Sequence, residues 1–499
     1  MKFDEDIKTI EKYQKEIIIL NRILGLLNWD NQTYMPKMAS DERAEQTAYI
    51  YGLIHEKMID DKFWKIVGRL YEKRNELNNR EKRMIDILYK QISKSKKLSR
   101  EFVEELAKEK SLSFNAWQKA REENDTNIFL PHFKKIVELK RKEVEYRGFM
   151  EHKYNTFLDD YEEGMTVKKL DPIFEELKYG LIKIINKIKK SNNYKNQKKN
   201  INDKNFSKEK QIYFAEEIIK KLGLDKDFSR LDLSEHPFST SLGSKDVRIT
   251  TNIRDDYFFS IGSTIHETGH ALYELGMPKE EKYTFLGDAP SLGLHESQSR
   301  FWENMIGLSN PFWNYFFPRI KEIYGLKEDI DLWYKDINQV SSNLIRIESD
   351  EVHYCLHIIM RYEFEKGLIE GSINPDEISD LWKKKVKEYF DLEVKNDKEG
   401  FMQDVHWSEG YYGYFPTYAI GTIYASQIYK KLSEDMNIGR EVSSGNFNVI
   451  LNWLRENIHK YGSLKMADEI IKDACGKGLS VEDFLDYLNK KYKDIYDLM

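Results

Sequence analysis

Cysteine is nearly missing: Cys355 and Cys475 are the only two in 499 residues. Two thiols cannot staple a secreted disulfide scaffold or fill a four-cysteine zinc site, so reduced intracellular thiols are the simplest reading. Long apolar runs are missing as well. No stretch approaches the roughly 20 residues that span a bilayer. The first twenty residues mix charges with aliphatics throughout, so no signal peptide is expected. These absences predict a cytoplasmic protein with no membrane contact. Neither charge is in strong excess. The 79 basic and 85 acidic residues give a net charge of −6. That leaves no reserve to neutralise phosphates and excludes nucleic acid as the main partner.

Proline is scarce, at ten residues, and none lies between Pro36 and Pro131. Proline breaks helices from inside, so this gap permits long ones. Residues 5–28 set Ile7, Ile10, Ile17, Ile18, Leu20, Ile23, Leu24 and Leu27 on one broad helical stripe. Residues 98–123, 131–148 and 166–190 repeat the pattern, as does the chain past 310. The protein is predicted to be mostly α. The Lys- and Asn-rich stretch 189–210 reads as a solvated loop between helices in preference to a basic docking patch. Residues 236–252 depart from the pattern. Ser, Thr and Gly cluster first, and then Val247, Ile249 and Thr251 alternate with Arg248, Thr250 and Asn252. Period-two alternation after a turn predicts a small β-sheet.

Directly after that sheet comes FSIGSTIHETGHALYELG (259–276), closed by Gly276 and Pro278 and read as one helix. His266 and His270 are four apart and share a helical face, so two imidazoles can reach one ion. Glu267 can approach a water on that ion. This is the H-E-x-x-H arrangement of zinc peptidases. Eleven histidines and 85 acidic residues make about 0.04 chance matches in a chain of this length. The motif alone therefore leaves open a helix with two surface histidines. Its context weighs against that. Gly269 permits close approach of another backbone or side chain beside the metal face. Twenty-six residues after His270, within HESQSRFWEN (295–304), Glu296 can supply a third ligand from a second helix. His295 and Glu274 compete for that place. Three protein ligands plus water is the catalytic pattern. A bound dication lowers the pKa of its water to roughly 7. Glu267 then acts as base toward the water and acid toward the leaving amine, while nearby donors stabilise the oxyanion.

Around these residues the sequence resembles the carboxypeptidase Taq family of thermostable-type metallocarboxypeptidases, nearly end to end. D-x-R-x-T is present as Asp246, Arg248 and Thr250. I-R-x-x-A-D is present at 345–350, with Ser349 where alanine is usual. G-x-x-Q-D-x-H-W is present as Gly400, Gln403, Asp404, His406 and Trp407. NWDNQTYMP (28–36), WQKAR (117–121) and LDDYEEGMT (158–166) also look like the family. The resemblance implies a neurolysin-like helical fold with a long central cleft. It implies release of single amino acids from peptide C-termini, one Zn2+ or Co2+ ion per chain, and a homodimer. It also favours Glu296 over His295. The chain is read as a single catalytic unit over 1–499, with a helical part up to about 230 and the metal-site and substrate-binding part beyond.

A carboxypeptidase must hold a free C-terminal carboxylate, which suits the planar fork of arginine. Arg346 and Arg248 each sit in a family signature, with Asp350 and Asp246 placed to orient them. His406 and the aromatic run YYGYFPTY (411–418) follow the order of the His and Tyr that polarise the scissile carbonyl in neurolysin-like peptidases. Tyr414 is the favoured donor, with Tyr418 and Tyr411 behind it and His406 as the second. His236 either binds substrate backbone near the sheet or is a packed structural histidine. The alternatives are an oligoendopeptidase or dipeptidyl carboxypeptidase of the same class, and a non-catalytic peptide-binding scaffold, for which Glu267 has no use.

Overall fold

A 30-residue helix, α1 (Asp4–Thr33), opens the fold in a computed structural model that describes residues 3–198, 201, 206–254, 256 and 258–498. The stripe read from the sequence buries Ile7, Ile10, Ile17, Ile18 and Leu24. Phe63, Val67, Leu70, Met84, Ile85 and Leu88, from the helices Asp61–Glu72 and Asn79–Lys96, form one core with Ile7, Ile10 and Ile17. Each such aliphatic side chain contributes about 1.5–3 kcal/mol when fully buried. Ile23, expected on the stripe, is instead 42% exposed beside Ile19 and Leu26. Eight positions span a wider arc than one packing surface covers.

The proline-free region forms successive helices, as the sequence predicts. Arg100–Glu123 and Thr126–Arg147 are joined by Asn124, which takes a left-handed conformation, and Asp125, whose side chain caps the second helix. That cap starts the helix five residues before Pro131, which falls inside it. Thr166 caps the helix Val167–Lys190 by accepting from the amide of Lys169. The stretch expected to be a loop holds a short helix, Asn192–Lys195, and a serine-capped helix start at Ser207. Its residues 199, 200 and 202–205 lie outside the described ones. No helix among the described residues is long and apolar enough to cross a membrane.

Three strands form the one sheet found in the described residues: β1 (Ser229–Leu233), β2 (Ser239–Gly243) and β3 (Asp246–Thr251), in the order β1-β3-β2. β3 pairs antiparallel with β2 and parallel with β1, with Leu231 opposite Ile249. Val247 and Ile249 are buried, as their alternation predicts. β1 was not expected.

The chain divides into two compact units, each assembled from three separate stretches. The first comprises Met1–Lys96, Lys199–Ile337 and Tyr424–Leu479; the second comprises Lys97–Lys198, Asn338–Ile423 and Ser480–Met499. The sheet and the H-E-x-x-H helix belong to the first. The Arg346 and His406 signatures belong to the second.

Candidate active site

In the first unit, the helix α2 (Phe259–Gly276) carries the motif and is buried over most of its surface. Thr251 at the end of β3 ties the sheet to it, with Oγ1 2.8 Å from the Ser263 hydroxyl and donating to the carbonyl of Ser260 at 3.2 Å. The second helix, α3 (Leu292–Arg300), starts at Ser291, whose side chain accepts from the amide of Leu294. A Cβ on Gly269 would come within 2.5 Å of the carbonyl oxygen of Gln298. The helices therefore meet backbone to backbone at this glycine, which brings Glu296 up to the two histidines.

His266, His270 and Glu296 each offer a ligand atom, and these atoms lie within 4.8 Å of one another. Glu296 Oε2 is 3.8 Å from Nε2 of His266 and 3.5 Å from Nε2 of His270. The competitors of Glu296 are otherwise engaged. His295 Nε2 faces Glu274 Oε1 at 2.9 Å, and its ring stacks on that of His270. Beyond Arg300 the helix widens into a π-helical segment, Phe301–Gly307. Glu303 on that segment reaches Nδ1 of His266 at 2.8 Å. Arg300 donates to Glu296 at 2.8 Å and to Glu303 at 3.3 Å. Glu303 and Arg300 have no role in the sequence reading, although both stand in the HESQSRFWEN stretch. Their spacing from Glu296, seven and four residues, was the signal: it defines one helical stripe.

Two imidazole nitrogens and a carboxylate oxygen converging on one point suit a zinc-like ion, and the carboxylate behind His266 is the usual orienting partner of a metal-bound imidazole. The electrostatics agree. Burial disfavours a charged His266, but Glu296 and Glu303 outweigh it and raise its pKa to about 9. Burial, with His295 alongside, lowers His270 to about 4. Burial works against a charged Glu296, yet Arg300 and His266 hold it well below the usual carboxylate range. Burial pushes Glu267 up to about 7. The site thus sets an ionised Glu296 beside a protonated His266, whose proton a cation would displace.

Arg248 in β3 is held by both oxygens of Asp246, at 3.0 Å each, and lies over the ring of Trp29. Asp246 thus orients it, and the NWDNQTYMP stretch supplies its platform. His236 is exposed, and among the described residues only its carbonyl is bonded, by the hydroxyl of Ser234.

In the second unit, Arg346 is buried and donates through Nε and Nη2 to Asp404, at 3.0 and 2.8 Å, and through Nη1 to the Tyr354 hydroxyl at 2.9 Å. Its orienting carboxylate is Asp404, not Asp350. Asp350 instead accepts from His353 Nδ1 and from the amides of Ser341, Val352 and His353. Arg361 holds the other oxygen of Asp404. Trp117 and Arg121 of WQKAR donate to the carbonyl of Met402, which fixes the Gln403–Asp404 turn. Ser349 bonds the carbonyl of Ile345, a local contact that leaves the signature intact. His406 Nε2 meets the Tyr418 hydroxyl at 3.2 Å. Burial lowers His406 to about 3, and Arg346 and Arg361 add to the effect, so the imidazole is neutral. Tyr414 packs on His406, Tyr411, Tyr418 and Tyr161. Tyr411 is 38% exposed with Lys110 over its ring.

An H-E-x-x-H helix whose imidazoles meet a glutamate from a second helix, backed by a further carboxylate, defines a metallopeptidase. The chain matches the carboxypeptidase Taq (M32) metallopeptidase family over residues 9–492 and belongs to it. It is 36% identical to Carboxypeptidase 1 of Bacillus subtilis over 499 residues, covering 98% of this chain and 99% of that one. It is 36% identical to Thermostable carboxypeptidase 1 of Thermus thermophilus over 510 residues, covering 97% and 98%. The crystal structure of the M32 carboxypeptidase from Deinococcus radiodurans R1 matches with a TM-score of 0.94 at 31% identity, covering 99% of this chain and 100% of that one. The protein is a metal-dependent carboxypeptidase.

Proposed function

We propose that residues 1–499 act as one catalytic unit that removes single amino acids from the C-termini of peptides, with His266, His270 and Glu296 holding one Zn2+ or Co2+ ion. The observation that carries this reading is the meeting of those three donors within 4.8 Å, with Glu267 buried on the same helix. When bound, the ion supplies Lewis-acid polarisation that lets water act as a nucleophile near neutral pH. Glu267 takes the proton of the attacking water and returns it to the leaving amine. His406 and Tyr414 donate to the carbonyl oxygen as charge develops there. His406 Nε2 meets the Tyr418 hydroxyl, and its Nδ1 has no partner among the described residues. Arg346 and Arg248 are the candidates for the terminal carboxylate, each with N–H groups beyond those given to its aspartate. Tyr411, Tyr418 and His236 are the further candidates for contact with the substrate. The same reading makes the protein a cytoplasmic homodimer.

Two measurements test it. Glu267→Gln should keep its metal and lose about 10²–10⁴-fold in turnover; near-normal turnover would remove Glu267 from its role. A peptide amide should be cleaved at least about tenfold more slowly than the free acid, because a charge-assisted contact is lost. Equal rates with internal fragments as products would make the enzyme an endopeptidase.

A further inference from the structure

The reaction as described leaves one fully buried carboxyl group unused. Glu365 lies on the helix α4 (Tyr354–Glu370) and is 0% exposed. No Lys, Arg or His stands within ion-pair distance of it among the described residues. Its partners are three donors: the Tyr154 phenol at 2.5 Å, the Trp407 indole N–H at 2.8 Å and the Gly413 amide at 2.8 Å. Burial pushes its carboxyl up to about 7 against the pull of those three bonds and of the more distant Arg361. A packing role alone would be filled by an uncharged side chain. Three donors converge on its two oxygens, Oε2 taking two and Oε1 one, and the ionised carboxylate accepts all three where a glutamine would offer a single oxygen.

The partners are placed with purpose. Trp407 and Gly413 stand at the two ends of one loop, with His406 immediately before it and Tyr414 immediately after. A single carboxyl group therefore closes the loop at its base, Oε1 taking Trp407 and Oε2 taking Gly413. The loop is pressed home from the other side as well. Gly413 has φ of +87°, and a Cβ there would come 2.6 Å from the backbone of Phe157. Its shape is thus fixed at both ends by one side chain and leaves no room for adjustment at position 413.

We propose that Glu365 is a positioning residue for the reaction: a carboxylate clasp that sets where His406 and Tyr414 stand. The inference rests on the reading of those two side chains as donors to the carbonyl. Donors that act on developing charge contribute to the transition state more than to substrate binding, so loosening the clasp should lower kcat and spare KM.

The test uses the full-length, metal-loaded enzyme on a tripeptide with a free C-terminus, with metal content and Tm measured for every variant. Glu365→Gln removes one acceptor and turns an amide toward a donor. It should lower kcat about tenfold or more with KM within about twofold. Trp407→Phe deletes a single bond of the clasp and keeps a buried ring; it should show the same split to a smaller extent, and it decides the matter if Glu365→Gln does not fold. Tyr414→Phe and His406→Ala are measured in parallel. Slow Tyr414→Phe with wild-type kcat in the clasp variants overturns the proposal and leaves the donor reading standing. A raised KM with kcat kept in the clasp variants also overturns it, because the loop would then serve binding alone. Wild-type kcat in both Tyr414→Phe and His406→Ala overturns the donor reading, and the clasp falls with it.

Discussion

Glu303 stands 2.8 Å from Nδ1 of His266, while Nε2 of the same ring faces Glu296 at 3.8 Å. One imidazole is held between two carboxylates, one a candidate ligand and the other fixing the ring's tautomer and direction. Arg300 reaches both carboxylates and offsets part of their repulsion.

Removing the outer carboxylate should therefore act on the ion, not on the chemistry. Glu303→Ala is expected to weaken metal binding about 10–100-fold, the usual effect of losing such a partner. Competition with a chromophoric chelator measures this directly, and activity should recover at saturating ion. Unchanged affinity would reduce Glu303 to a charge partner of Arg300.

Metal affinity should also depend on pH. With its pKa raised to about 9, His266 carries a proton in the metal-free protein at neutral pH, and a ligand must give it up. Raising the pH removes that proton and so favours the ion. His270, lowered to about 4, is already neutral and adds no dependence, whereas Glu267, raised to about 7, ionises in the same range and adds to the trend. Affinity is expected to tighten about tenfold per unit between pH 6 and 8. Calorimetry in two buffers of different ionisation enthalpy should count close to one proton released. Affinity that stays flat across this range would mean that His266 is neutral before the ion arrives.

The contact at Gly269 gives a third expectation. A methyl group there would meet the carbonyl of Gln298 at 2.5 Å and Cα of Ser299 at 2.6 Å, so α3 must move and carry Glu296 with it. Gly269→Ala should cost about 1–3 kcal/mol in denaturant unfolding, as overpacking does, and should weaken the ion as well. Gly52 is the control: it lies inside the helix Ser40–Met58 with nothing within 4 Å of a Cβ. Alanine there should be neutral or stabilising by up to about 1 kcal/mol.

The helix around His266 and the backbone contact at Gly269 were legible because both follow from short-range spacing. A pair of histidines four apart has one geometry on a helix, and a glycine beside a ligand has few other uses. The strand at Val247–Thr251 was legible from its alternation. β1 was not: Ser-Arg-Leu-Asp-Leu is too short to show a period, and its parallel pairing with β3 skips over β2. The partner of Arg346 was not legible either. Asp350 is near in sequence, but Asp404 is the carboxylate the fold brings to it, 58 residues away. Arg300 and Glu303, four and seven residues past Glu296, were open to the same spacing argument. No sequence signal marks units built from three stretches each, since a linear reading finds boundaries and not returns.

That returning path has a consequence for synthesis. His459 is in the last stretch of the first unit, and its ring meets the side chain of Gln298, 161 residues earlier and two residues from Glu296. At ribosomal speeds of about 5–20 residues per second, roughly 8–30 s separate the two. Throughout that interval α2 and α3 are already synthesised, and their contact at Gly269 is available to set the spacing of the two imidazoles and the carboxylate. The buried contact of His459 therefore reaches the metal-site helix last, after all three candidate ligands are already in the chain.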